Sequence, residues 1–307
     1  DSLPSRGLGD VYKRQNNESL SAFLNERDVE IVPLLISLLE IVDEAAALAR
    51  DFYEKVDELE VVRKGDATPL TDADTALHLL ICKRLDALSL AIPILSEESE
   101  GADIADRLSW PACWVVDPLD GTKEFIEKTD QFTINIALVL DGVSELGLIS
   151  IPCRKEHWLG VVENGAAVFP EGQGLDGSVV SVQGLNRNQP LVMLASHRHS
   201  PKRVQALLDC LSSHFGEVER RNSGSAVKFC DVAAGNADVY PRTSACSEWD
   251  VAAGDALVRA AGGRVTKFDG EPITYNQRSS LLAESFIAGG DACVDYAAIF
   301  NAPGFSD

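Results

Sequence analysis

The stretch Trp114-Val115-Val116-Asp117-Pro118-Leu119-Asp120-Gly121-Thr122 constrains this chain more than any other. Val115 and Val116 read as strand, and Pro118 then fixes φ and removes an N–H, so the chain is expected to leave its sheet there. Two carboxylates three residues apart on such a turn can converge on a shared cation, and the Leu119 carbonyl can point the same way. Gly121 lets backbone N–H groups approach an anion closely. Thr122 adds a hydroxyl able to orient a water. Every donor is a hard oxygen, which favours Mg²⁺ over zinc or copper. An ordinary Asp-Pro turn with a helix cap would use the same letters, so the remaining acids decide.

Those acids are Asp66 and Asp74 in KGDATPLTDAD, Glu97 beside Glu98 in LSEES, and Asp250 in SEWDVAAGDA. Each falls at the end of an apolar run, at a helix start or in a loop. A strand delivers its terminal side chain to the sheet rim, and a helix N-terminus tolerates anions. Taken singly, each has a plainer use. Glu97 and Glu98 could cap a helix at the surface, Asp250 could be an N-cap, Asp74 could back-bond in a capping box with Thr71, and Asp66 could be a loop acid. Taken together they predict one carboxylate-lined cleft.

Composition narrows the function classes. The 307 residues carry 27 Lys plus Arg against 48 Asp plus Glu, a formal charge of −21, with 45% hydrophobic residues. A packed core is affordable, and the length suggests about two domains at roughly 150 residues each. An acid excess of this size excludes a nucleic-acid polymer as partner through bulk electrostatics. A small phosphorylated substrate stays compatible, because bound divalent cations invert the local sign. The seven cysteines form no CxxC pair, so they read as buried small hydrophobes in a reducing cytosol. No apolar run reaches the ~20 residues of a membrane span. The expected setting is cytoplasmic, with peripheral contact at the inner membrane left open. No Ser-His-Asp or Cys-His nucleophile pattern competes, since His157, His199 and His214 have no partner motif.

Residues 1–15, DSLPSRGLGDVYKRQ, show no helical or strand period and resemble translated cloning sequence more than protein. A flexible basic tail is the alternative, and either way the segment is expected to be poorly ordered and silent. Apolar spacing predicts a helix over Val29–Val56, with Pro33 in its first turn, and a second from Thr71. Ala91–Leu95 and Trp114–Val116 read as strands. Phe132–Leu140, Leu146–Ile151 and Trp158–Val162, separated by turn chemistry such as Asp141-Gly142, read as an antiparallel meander. Glu171–Gly177, rich in Gly, is the expected boundary between an α+β domain over 16–172 and an α/β domain over 178–307. In the latter, strands at Val192–Ala195, Glu217–Arg221, Asp238–Tyr240 and Phe286–Ala288 alternate with helices at Pro201–His214, Ser225–Ala234 and Val251–Ala261.

Over Ser19–Phe300 the chain resembles the inositol monophosphatase superfamily, the magnesium-dependent, lithium-sensitive phosphomonoesterases. LSEES, DPLDGTKEF and WDVAAGDAL carry the resemblance. KGDATPLTDAD, GTKEF and SGSAVKFCDVAAG are similar to its bisphosphate-nucleotidase branch, of CysQ type. The resemblance implies an α/β (α+β) fold, an αβαβα layered sandwich. It implies two or three Mg²⁺ ions on Glu97, Asp117, Asp120, Asp250 and the Leu119 carbonyl, with Asp250 on the second ion and Asp74 near a third. Asp66 and Thr122 would orient or deprotonate the attacking water, with Glu97 completing the catalytic set. Substrate would meet the turn Leu119-Asp120-Gly121-Thr122, then Ser223, Gly224, Ser225, Lys228 and Asp250, with His197 and Arg242 as further contacts. The insert RTSACSE before Trp249 departs from the pattern beside Arg242. The activity implied is removal of the 3′-phosphate of 3′-phosphoadenosine 5′-phosphate to give AMP. Inositol monophosphate or another small phosphomonoester is the alternative substrate, and a non-catalytic Mg²⁺- or Ca²⁺-binding module is the alternative class.

Overall fold

The computed structural model describes residues 18–55, 62–63, 69–70, 72–102, 104–186, 188–196 and 201–301. Segment 1–15, Thr71 with its capping box, Asp66, His197 and His199 lie outside the described residues.

Leu20 and Leu24 lie one turn apart on helix α1 (Glu18–Asn25), and both are buried. They join the apolar stripe of α2 (Ile31–Glu54), where Leu34, Leu35, Leu38, Val42, Ala45 and Ala49 recur at helical spacing. Pro33 sits in the first turn, where its missing N–H costs nothing. A short antiparallel pair, β1 (Val62–Arg63) and β2 (Pro69–Leu70), precedes α3 (Asp72–Asp86). Next come β3 (Ile94–Ser96), β4 (Ala112–Asp120), the one-turn helix α4 (Thr122–Ile126), β5 (Thr133–Leu140), β6 (Val143–Ile151), β7 (Glu156–Val161), β8 (Gly165–Pro170) and β9 (Ser178–Val180). Among the described residues these strands make one sheet in sequence order, antiparallel apart from the β3–β4 pair. Asp141 and Gly142 both adopt positive φ, the backbone that a tight hairpin turn between β5 and β6 requires.

The second half continues with β10 (Leu191–Ala195), α5 (Pro201–Phe215), β11 (Val218–Asn222), α6 (Val227–Ala233), β12 (Val239–Arg242), β13 (Cys246–Ser247), α7 (Ala252–Ala260), β14 (Arg264–Lys267), β15 (Leu282–Ala283), β16 (Phe286–Gly289) and α8 (Tyr296–Phe300). Its main sheet has the order β11-β10-β12-β16-β14, with β10 parallel to both neighbours and β16 antiparallel to both of its own.

Strand alternation sorts the core into three slabs. Trp114, Val116, Ile134, Ile136 and Leu148 face α1–α3. Cys113, Val115, Ala137, Val139 and Ile149 face the other way, onto α6 and α7 and, beyond them, Leu194, Tyr240, Phe286 and Ala288 of the second sheet. Met193, Val239 and Ile287 face outward onto α5 and α8. The layers therefore run helix, sheet, helix, sheet, helix, the αβαβα sandwich. The middle helix lies hard on the first sheet: a Cβ on Gly147 of β6 would fall 2.0 Å from the Ala253 carbonyl oxygen, and one on Gly160 of β7 would fall 2.7 Å from Leu257 Cα.

Two local expectations change. Pro118 does not take the chain off the sheet; β4 continues to Asp120. Asp117 pairs with Asn135 and Asp120 with Thr133, so one extra residue is accommodated as a β-bulge. The short strands β8, β9 and β14, which carry no strong pattern of their own, extend the sheets beyond the segments that read as strands.

Candidate active site

The bulge at the end of β4 has a chemical result: Asp117 and Asp120 do not alternate across the sheet but meet. One oxygen from each, with one from Asp250, lies within 4.8 Å of the other two. Asp250 reaches them from the short turn before α7, where Ser247 N donates to its Oδ2 at 2.9 Å. Asp117 is fully buried. Its Oδ1 accepts the Leu119 N–H at 3.1 Å, while its Oδ2 is buried with no hydrogen-bond partner among the described residues. A buried, unpartnered carboxylate oxygen facing two further carboxylates is costly unless a cation neutralises it. The donor set is all oxygen, so it fits a hard divalent ion.

Electrostatics extend the cluster beyond these three. Burial pushes the Asp117 carboxyl well above the usual range, and the charges of Glu97, Asp120, Asp250 and Asp74 push in the same direction. Burial, reinforced by Asp120 and opposed by Arg242, raises the Asp250 carboxyl to about 6. Glu97 follows directly on β3, and its N–H donates to the Val116 carbonyl at 3.1 Å, beside Asp117. Asp74 is buried in the first turn of α3. Thr122 Oγ1 donates to the Leu119 carbonyl at 3.3 Å, so its lone pairs remain acceptors. Gly121, at φ 88, caps α4 in the left-handed region, and a Cβ there would crowd Ser225 at 3.2 Å.

The loop before α6 closes the other side. Ser225 Oγ lies 2.6 Å from Asp120 Oδ2, and Thr133 Oγ1 and Asn135 Nδ2 reach the same oxygen at 3.3 and 3.4 Å. Gly224 N donates to Gln131 Oε1 at 2.7 Å, and a Cβ on Gly224 would stand 2.9 Å from Glu124. Lys228 is 2% exposed; its Nζ donates to the Ser225 carbonyl at 2.6 Å and the Ser223 carbonyl at 3.1 Å. Burial lowers its ammonium to about 8, against the pull of Asp120. Arg242, at the end of β12, contacts the Tyr240 hydroxyl at 3.3 Å and acts on Asp250. Every expected site residue among the described ones thus falls in one neighbourhood. Thr133, Asn135 and Gln131 join the expected residues at the site, and a Thr and an Asn two apart in the apolar run TINIALVL are a readable signal of one polar strand face.

One histidine has partners that its local sequence does not show. His157 does have partners: Ser150 Oγ at 2.9 Å from Nδ1 and Asp43 Oδ1 at 2.7 Å from Nε2. Asp43 lies on α2, far away in sequence, so no local motif announces it. The trio has the composition of a nucleophile triad, but Ser150 is 0% and His157 1% exposed, and a substrate has no access. It joins α2 to the meander as a packing element.

The sequence profile of the Inositol monophosphatase family matches residues 30–294. The chain is 36% identical over 254 residues to the 3′(2′),5′-bisphosphate nucleotidase CysQ of Escherichia coli (strain K12), covering 80% of this chain and 98% of that protein. The crystal structure of CysQ from Bacteroides thetaiotaomicron, a bacterial member of the inositol monophosphatase family, superposes with a TM-score of 0.72 at 34% identity, covering 85% of this chain and 98% of that one. The extragenic suppressor protein suhB of Bartonella henselae superposes with a TM-score of 0.71 at 25% identity, covering 88% and 99%.

Proposed function

The chain belongs to the inositol monophosphatase family, and from that premise we propose that it is a magnesium-dependent phosphomonoesterase that removes the 3′-phosphate of adenosine 3′,5′-bisphosphate, giving AMP and inorganic phosphate. The observation that carries the reading is the trio of converging carboxylates Asp117, Asp120 and Asp250, with the buried, unpartnered Asp117 Oδ2 among them. The likeness to CysQ nucleotidases over most of the chain supports the nucleotide as substrate.

Asp117, Asp120 and Asp250 would hold the cations, together with Glu97, the Leu119 carbonyl and, for a third and weaker ion, Asp74. Bound there, two or three Mg²⁺ ions would clamp the phosphoryl group, acidify a water and stabilise the leaving oxygen. The protein's own groups do the rest. Thr122, its one hydrogen spent on the Leu119 carbonyl, can accept a hydrogen bond from the attacking water and orient it toward phosphorus. Asp66 is the candidate base that takes up one proton of the water, the other staying on the oxygen that joins phosphorus. The P–O3′ bond would break opposite the attack, and the ribose oxygen would leave as a hydroxyl, its proton drawn from solvent and balanced by the one Asp66 has taken up.

The positive-φ turn at Gly121 brings main-chain N–H groups up to the phosphate. Lys228 keeps one of its three N–H bonds for the substrate, and with Arg242 and His197 it would offset charge on the nucleotide. Ser223, Gly224 and Ser225 form the wall beside it. A reducing cytoplasm belongs to the same reading and suits seven free cysteines; no described helix is long and apolar enough to cross a membrane.

Phosphate release from a panel of adenosine 3′,5′-bisphosphate, inositol 1-phosphate and a sugar bisphosphate, with Mg²⁺ and with EDTA, tests this. The nucleotide should be turned over fastest, and EDTA should stop it. Preference for inositol 1-phosphate would reject the nucleotide, and EDTA-resistant release would reject the metal.

A further inference from the structure

We propose that His78 is a positioning residue of the acidic site: it ties the helix that carries Asp74 to the turn that carries Glu97, and so sets how tightly the site holds divalent cations. The inference rests on the metal-dependent reading above. Asp74, His78 and Cys82 stand four residues apart on α3 and share one face of the helix, which packs against β4. His78 Nδ1 lies 2.9 Å from Ser96 Oγ, with Cys82 Sγ at 3.5 Å from the same nitrogen.

Ser96 is 2% exposed and ends β3. It is held on every side. Its N–H donates to Ser99 Oγ at 3.1 Å, its carbonyl accepts the Ser99 N–H at 3.0 Å, and its Oγ accepts the Glu98 N–H at 3.4 Å. Glu97 lies inside this small loop, and its own N–H is fixed to Val116. A serine hydroxyl has one hydrogen and two lone pairs. One lone pair receives Glu98, so the Oγ either donates its hydrogen to His78 Nδ1 or accepts the Nδ1 hydrogen on its second lone pair, and the link forms with either tautomer. The link therefore locks the Glu97 loop onto the face of α3 one turn beyond Asp74. Both carboxylates act on Asp117, so a shift of either changes the field at the cation site. A residue in this position behaves as the outer partners of metal ligands do, fixing their orientation without touching the ion.

The test uses the full chain with Mn²⁺ as probe, its binding followed by the EPR signal of the free ion, alongside thermal melting without metal and phosphate release against Mg²⁺ concentration. His78→Ala should weaken Mn²⁺ binding about tenfold and raise the half-activating Mg²⁺ concentration to match. His78→Asn, whose amide can donate to or accept from the Ser96 hydroxyl in place of Nδ1, should recover affinity to within about threefold. Ser96→Ala, cutting the link from its other end, should weaken binding as His78→Ala does and serves in its place should that variant not fold. A merely structural histidine would lower the metal-free melting temperature and leave the Mn²⁺ affinity alone. Affinity within about twofold of the parent in folded His78→Ala or Ser96→Ala overturns the inference. A parent protein that binds no Mn²⁺ and needs no metal overturns the functional reading itself, and this inference with it.

Discussion

Ser225 Oγ stands 2.6 Å from Asp120 Oδ2 and 3.1 Å from the Asp120 carbonyl oxygen, although the two residues are 105 positions apart, one ending β4 and the other in the loop before α6. With Thr133 and Asn135 on that same Oδ2, the carboxylate is turned so that Oδ1 is left for other work. Ser225 holds φ 46, an uncommon value for a residue with a Cβ, and Lys228 grips its carbonyl. Ser225→Ala keeps the backbone demand and removes only the hydroxyl. It should lower turnover or metal affinity by about 10- to 100-fold while the fold persists, read by phosphate release and Mn²⁺ titration. Unchanged kinetics would show that Thr133 and Asn135 orient Asp120 alone.

Asp117→Asn should separate stability from function. The amide keeps the Oδ1 contact with Leu119 N–H and places a donor where the unpartnered oxygen was. Metal-free protein should melt at a higher temperature than the parent, the gain on adding Mg²⁺ should vanish, and activity should fall about a thousandfold or more, since the ions contribute several kcal/mol to the barrier. Differential scanning calorimetry with and without Mg²⁺ reads all but the last. A lower metal-free melting temperature would count against an electrostatically strained cluster.

The same carboxylates make metal-free stability depend on pH in a fixed direction. Asp250 ionises near 3.8 in the unfolded chain and near 6 when folded, and Asp117 is raised as well. Between those values the native state binds more protons than the unfolded one, so ∂ΔG/∂pH is negative there. The contribution is complete below the unfolded value and is lost as pH rises through about 6. Metal affinity should run the other way, strengthening through the same range as the ligands shed their protons. Urea unfolding of metal-free parent and Asp250→Asn across this range should show a steeper decline in the parent. Equal slopes would remove Asp250 as a source.

Gly147→Ala probes the seat of Asp250. A Cβ there would meet the Ala253 carbonyl at 2.0 Å, so α7 must lift from β6. Overpacking of this kind costs about 1–3 kcal/mol, and because α7 starts two residues after Asp250, metal affinity should fall along with the melting temperature. Gly101→Ala, with nothing within 4 Å, should change neither.

Much of this architecture can be read from local pattern. The spacing of Leu34, Leu38, Val42, Ala45 and Ala49 specifies α2, and the Asp141-Gly142 pair specifies the β5–β6 turn. The carboxylates Asp117, Asp120 and Asp250 announce themselves because ionisable groups at the ends of apolar runs are costly without a use. What pattern does not carry is partnership across the chain. Pro118 reads as a breaker in isolation, yet β4 stays paired with β5 and carries the extra residue as a bulge. His157 looks unaccompanied until α2 brings Asp43 to it. Lys228 reads as a substrate contact, but its burial turns most of its donors onto the carbonyls of Ser223 and Ser225.

The helices α6 and α7 present apolar residues to both sheets at once, and Val227, Phe229, Ala252, Leu257 and Val258 belong to a single slab that reaches each of them. Neither sheet, then, owns the surface that keeps it dry. Cleaving the chain at the 181–190 connection and separating the pieces would leave β4–β8 with one naked apolar side. The molecule consequently has no half that can melt first and wait for the other, and denaturant should take both sheets apart in one cooperative step.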